Sequence, residues 1–344
     1  MTLPRLALSV IGDEIGPSLE EMISFAHEHG LKRLDMRTVD GRNLLGMKKE
    51  EIIKISRALE KAGLTVPTFV SPLFKWPAAG KSAGAGKVDF AFDPKECPAE
   101  DIIDHAIEIA VILGAPHMRI FSYLRHRRFR PSDLTDGKAF NKLMSLASHY
   151  DISNQLENEP VCNIGNIAEL RAFFDPKEEE LAEEELAEEL LEEDMLALET
   201  IDGVMVEEKV EAEAKEEEEE DEEEELVDPR DKDKETVIYL RPLVDIANAW
   251  ATGEQPSDDD IASLAPLVTA IHLKDRDLAA NRTVPLGDGN VPWPAELRRL
   301  LGGVTTGEVL ASIETHCPQD SRNATARSIA GLRRIAAEIG VEVV

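Results

Sequence analysis

Cysteine, aromatic residues and positive charge are all in short supply. The three cysteines, Cys97, Cys162 and Cys317, form no CxxC pair and leave one over. That argues against a disulfide framework or a structural zinc site, and for a reducing compartment. No run of about 18 apolar residues occurs, so no membrane-spanning helix is expected. The opening MTLPRLALSVIGDEIG is cut by Asp13 and Glu14 before it could form the apolar core of a signal peptide. Lys and Arg total 38 against 69 Asp and Glu, a net charge of −31, which disfavours a broadly basic nucleic-acid binder. A cytoplasmic protein with no membrane partner is expected.

The charge deficit is local. Residues 177–235 hold 31 acidic and 6 basic side chains over 59 positions, while the other 285 residues hold 38 and 32. A uniformly acidic, salt-adapted surface is thereby excluded. The chain is an ordinary body with one acidic segment added, giving barrel residues 1–176, an insertion at 177–235 and barrel residues 236–344. The body has the size of a single α/β barrel, and 42% hydrophobic residues suffice for its core.

Short apolar, β-prone runs alternate with longer stretches of helical period. Strands are predicted at 6–11, 31–36, 65–70, 117–121, 152–156, 237–244, 269–273 and 309–313. Helices are predicted at 18–29, 48–62, 99–113, 137–149, 166–174, 258–264, 294–301 and 324–339, several closed by a glycine such as Gly30, Gly63 or Gly114. Eight β/α units in strict alternation imply a parallel sheet closed into a (β/α)8 TIM barrel. The acidic segment falls between the fifth helix and the sixth strand, on the face opposite an active site in such a barrel. Its first part spaces Leu181, Leu186, Leu190, Met195 and Leu198 as a rough helical stripe, and 207–225 is a Glu run expected to extend by self-repulsion. It reads as a tolerated surface insertion, with a docking arm for a basic protein partner as the sharper alternative.

In this architecture chemistry sits at the C-terminal ends of the strands. The fifth ends in Leu156-Glu157-Asn158-Glu159-Pro160, the sixth in Asp245-Ile246-Ala247-Asn248, the seventh in His272-Leu273-Lys274-Asp275 and the eighth in Glu314-Thr315-His316. Burying unpaired ions there is costly, and a shared cation relieves the cost. Two Glu, one Asp and one His make a hard, mostly oxygen donor set, suited to Mn²⁺, Mg²⁺ or Co²⁺ more than to a closed structural zinc.

These segments resemble the xylose isomerase-like sugar isomerases and epimerases: LENEP at 156–160, VDIAN at 244–248, IHLKD at 271–275 and SIETH at 312–316, with LKRLDMRTVDGRNL at 31–44, SPLFKW at 71–76 and MRIFSY at 118–123 in agreement. The resemblance covers most of the body and none of the insertion. It implies a divalent metal, Zn²⁺ included, on Glu157, Asp245, His272 and Glu314, with Glu157 and Glu314 moving protons between adjacent carbons of a small sugar or sugar phosphate. The family's Glu-Asn pair favours Glu157 over Glu159, which lies two residues on and would support it. Asn248 stands where many members carry His, and Asp35 where Glu is common, so the substrate is left open.

Lys75, Arg119 and Lys274 follow strands and are candidates for substrate oxygens or a phosphate, with pairing to neighbouring acids as the plain alternative; Asn248 and His316 are further substrate-side candidates. Arg125–Arg130 is the one basic cluster, read as a solvated loop more than as an anion site. The glycines around Lys81 and Lys87 fail the phosphate-loop spacing, and 76–92 reads instead as a mobile lid over the mouth. Rival readings are an inosose dehydratase-like lyase, an endonuclease IV-like abasic-site nuclease needing three zincs, and a non-catalytic barrel whose acidic arm binds partners. A homo-oligomer is compatible with all of them.

Overall fold

The computed structural model describes residues 2–81, 92–127, 129–177 and 239–344. The chain divides into two units, Met1–Asp175 with Pro229–Val344, and Pro176–Asp228. The predicted insertion from residue 178 onward, and residues 82–91 of the predicted lid, lie outside the described residues.

The first unit is a TIM barrel. Arg5–Val10, Glu308–Ile313, Ala270–Leu273, Leu240–Asp245, Ser153–Glu157, His117–Ile120 and Thr68–Phe69 form one sheet in that spatial order, every pairing parallel. The predicted second strand is reduced to isolated bridges, Ile11 with Asp35 on one side, and Arg33 with Thr65 and Met36 with Phe69 on the other. Those bridges close the circle. The second strand reaches the first only near its end, leaving the Leu6 and Leu8 amides open on that edge. The chain's last residues take them: Leu6 N donates to Glu342 O at 2.8 Å and Leu8 N to Val344 O at 3.0 Å, so the backbone donors of a buried strand stay satisfied.

Helices ring the sheet, with Lys49–Lys61 against Ile102–Leu113, that helix against Lys138–Tyr150, Ile167–Phe174 against Asp258–Leu264, and Trp293–Gly303 against Ser321–Ile339. Side-chain caps set several starts. Ser18 and Glu21 form a reciprocal capping box ahead of Leu19–Glu28. Asp101 accepts from the Ile103 and Asp104 amides, which moves the third predicted helix from residue 99 to 102. Short elements escaped the periodicity because each is only a few residues long, among them the helices Ser132–Thr135 and Ile246–Ala251 and the antiparallel hairpins Thr38–Val39/Arg42–Asn43 and Asp275–Asp277/Arg282–Val284.

Alternation along each strand sends every second side chain into the barrel. Ala7, Leu243, Ala270 and Leu310 are register neighbours that form an apolar floor. Two residues further along lie Asp245 and His272, and four further lies Glu314. All three cysteines are free. No helix among the described residues is long and apolar enough to cross a membrane.

Candidate metal centre

Glu157, Asp245, His272 and Glu314 converge at the C-terminal ends of the fifth to eighth strands. One ligand atom from each lies within 4.8 Å of all the others, and all four residues are buried. His272 Nδ1 is 2.8 Å from Glu157 Oε1 and 3.6 Å from Glu314 Oε2. Asp245 Oδ1 accepts from the Asn248 amide at 2.8 Å and so caps the short helix 246–251, which leaves Oδ2 turned to the other three residues.

Division of labour among the oxygens is clear. The outer ones are held by arginines: Arg119 Nη1 donates to Glu157 Oε2 at 3.1 Å, and Arg37 Nη1 to Glu314 Oε1 at 3.0 Å. His316 Nε2 lies 3.0 Å from that same Glu314 oxygen. The inner oxygens face His272 and one ammonium: Lys274 Nζ donates to Glu314 Oε2 at 2.8 Å and sits 2.6 Å from Asp245 Oδ2. Asp245 Oδ2 is buried and is held by this ion pair. Three buried carboxylates and an imidazole brought this close form a donor set that fits a hard divalent cation. These four residues could hold a metal ion.

The electrostatics follow from that crowding. Burial raises the Glu157 carboxyl, but His272 and Arg119 more than offset it and hold the group at about 2. Burial depresses the His272 imidazole, yet Glu157 and Glu314 push it up to about 10. Glu314 is held well below the usual carboxylate range because Lys274 and His316 outweigh its burial. Asp245 is pushed up, by burial first and by Glu157 and Glu314 beside it. Asp35, below the cluster, is raised to about 6 by burial, against hydrogen bonds from Ser312 Oγ (2.6 Å) and the Thr68 amide (3.1 Å).

The remaining sequence candidates separate. Arg119, Lys274 and His316 reach the four-residue cluster. Lys75 Nζ donates to Glu159 at 3.0 Å, the pairing with a neighbouring acid set out as its alternative. Asn248 is turned away from the cluster, Nδ2 donating to the Asn158 carbonyl at 2.8 Å, which ties the short helix to the end of the fifth strand. Arg125 is clasped by Glu169 at 2.8 and 2.7 Å, as a solvated loop requires.

Arg37, Asp13 and Glu14 were not singled out from the sequence. Arg37 is 1% exposed and binds Glu14 Oε1 at 2.7 Å and Asp13 Oδ2 at 3.0 Å as well as Glu314. The signal was present, since Arg37 lies two residues after Asp35 and the acidic pair follows the end of the first strand. Glu14, Glu314 and His316 also lie close enough to hold a metal, but Glu14 Oε2 already accepts from Thr315 Oγ1 at 2.7 Å and His316 N at 2.8 Å. That group is a salt-bridge network bracing Glu314. Backbone strain collects at the same end: Phe74, Tyr123 and His316, just past the third, fourth and eighth strands, have φ of 63°, 59° and 49°, a region that disfavours bulky residues.

No protein-family model matches the chain, and no curated protein does. Solved structures do. The IolI protein with a bound zinc atom superposes with a TM-score of 0.61 at 11% identity, over 97% of this chain and 99% of that one. A D-tagatose 3-epimerase-like protein gives 0.58 at 12% identity, over 97% and 98%. A xylose isomerase domain protein from Planctomyces limnophilus gives 0.54 at 14% identity, over 99% of each. The fold is that of the xylose isomerase-like TIM barrels.

Proposed function

We propose, on the premise of that shared barrel, that the chain is a divalent-metal-dependent isomerase or epimerase of a small polyhydroxy aldehyde or ketone, free or phosphorylated. The observation that carries the reading is the convergence of Glu157, Asp245, His272 and Glu314, all buried, at successive strand ends. Three hard carboxylates favour Mn²⁺, Mg²⁺ or Co²⁺, with Zn²⁺ also accommodated. Such an ion supplies Lewis acidity, polarising a substrate carbonyl and acidifying the neighbouring C–H.

The chain's own groups do the rest. Glu157 and Glu314 flank the cluster, and both are held ionised by cations (Arg119 on one, Arg37 and Lys274 on the other). One takes the proton from carbon as general base and, now protonated, returns it to the adjacent carbon; delivery to the opposite face falls to the other once it has taken up a proton from solvent. Arg119 lies 3.1 Å from Glu157 and 3.7 Å from Glu314, so a single guanidinium holds the pair in register. His316, 28% exposed in its side chain, is the substrate-side hydrogen-bonding group nearest Glu314.

A dehydratase would use the same proton abstraction and differ in losing water, so product analysis separates the two. The test is direct. Protein stripped with a chelator should lose turnover on a panel of ketoses and ketose phosphates and regain it with Mn²⁺ or Co²⁺, with solvent deuterium entering the substrate. Turnover indifferent to chelation overturns the reading.

A further inference from the structure

Lys274 does more than help to hold Glu314 ionised. Arg37 and Arg119 bind outer carboxylate oxygens, from behind, where they brace the ligands without touching the interior. Lys274 does the opposite. It projects inward from the seventh strand, two residues beyond His272 and therefore on the same face, and its ammonium contacts the inner oxygens Asp245 Oδ2 (2.6 Å) and Glu314 Oε2 (2.8 Å). These are oxygens that a divalent ion held by the four residues would use. Lys274 is itself 2% exposed.

Resting on the metal reading above, we propose that Lys274 is a built-in counter-cation of the metal centre, competing with the divalent ion for Asp245 and Glu314 and thereby setting how tightly the centre holds it. Three carboxylates gathered within one buried cluster repel each other strongly, and without compensation they would favour opening of the strand ends. Arg37 and Arg119 offset part of that repulsion from the outer oxygens, and the ammonium offsets it at the inner ones when no divalent ion is there. An entering ion must take over both oxygens and then tolerate the displaced ammonium nearby, and the repulsion between two cations in one buried site opposes binding. The result is an exchangeable centre with a stable ion-free form, in place of a permanently loaded one. The side chain suits this role, because a single ammonium on a flexible stem can move aside, whereas a guanidinium fork is committed to two partners.

The test compares wild type, Lys274→Met and Lys274→Arg as full-length chelator-stripped proteins, each titrated calorimetrically with Mn²⁺ alone and melted with and without it. Lys274→Met removes the charge while keeping the stem. It should bind Mn²⁺ about ten-fold or more tightly than wild type, and its ion-free form should melt several degrees lower, with the gap narrowing once Mn²⁺ is bound. Lys274→Arg keeps a cation and should bind no more tightly than wild type. A wild type that binds Mn²⁺ together with a Lys274→Met protein that binds it equally or more weakly overturns the counter-cation role alone, as does tightening in Lys274→Arg equal to that in Lys274→Met. A wild type that binds no divalent ion overturns both this role and the function it rests on.

Discussion

The floor and the mouth of this barrel are built from the same strands by opposite chemistry. At the floor Ala7, Leu243, Ala270 and Leu310 meet in a small apolar layer. Two to four residues along, the same strands present Asp245, His272 and Glu314, bound to Lys274 and, through Glu314, to Arg37. The apolar layer gains from leaving water, whereas the ionic layer must recover a desolvation penalty through its internal pairs and at best about breaks even. Stability and chemistry therefore occupy different depths of one core. The mouth can carry buried charges and strained residues because the floor and the helix ring hold the strands together beneath it.

That contrast can be broken at specific places. The largest effect is expected for Glu157→Gln and Glu314→Gln, each of which should lower turnover by about 10³-fold while leaving the circular dichroism spectrum and cooperative melt in place. Activity near wild type in either variant would remove its carboxylate from the proton path. Arg37→Met should cost about 3–5 kcal/mol in urea unfolding, since it leaves Glu14, Asp13 and Glu314 buried without their shared partner. A loss under about 1 kcal/mol would mean that the mouth network is slack.

The floor should answer differently. Leu243→Ala is expected to cost about 2–4 kcal/mol through the cavity it leaves while Mn²⁺ affinity, measured calorimetrically, stays as in wild type; a joint loss of both would show that the two layers are not separable. The smallest effect concerns His117, whose imidazole burial and nearby Arg241 push down to about 4. The unfolded chain, with an ordinary imidazole near 6.5, binds more protons than the native state between those values. Stability is therefore present above about pH 6.5 and is lost as pH falls toward 4, by at most about 3 kcal/mol. His117→Asn should flatten that stretch of the urea midpoint against pH, and an unchanged slope would place the acid sensitivity elsewhere.

Much of the architecture was readable in the chain. Eight apolar runs and eight helical stretches appear in strict alternation, and seven of the runs are strands of one parallel sheet. The eighth, at 31–36, was correct in place and wrong in regularity: Asp35 accepts from Thr68 N and Ser312 Oγ, so this edge is organised by a buried carboxylate more than by a ladder. Short hairpins and the helix at 246–251 stayed invisible because a few residues display no period. At the site, residue type and strand position singled out Glu157, Asp245, His272 and Glu314. Lys75 and Asn248 had the same kind of position and went to other partners, Glu159 and the Asn158 carbonyl.

The chain by itself determined which residues stand at the strand ends and which face of each strand they share, because alternation is a local property of extended backbone. Only closure of the barrel decided which of them meet. Arg37 and Glu314 are 277 residues apart, and no local pattern records that one guanidinium would take the outer oxygen of that carboxylate while Lys274 took the inner one. Such choices arise where buried charges, unable to turn to water, must divide the available partners among themselves.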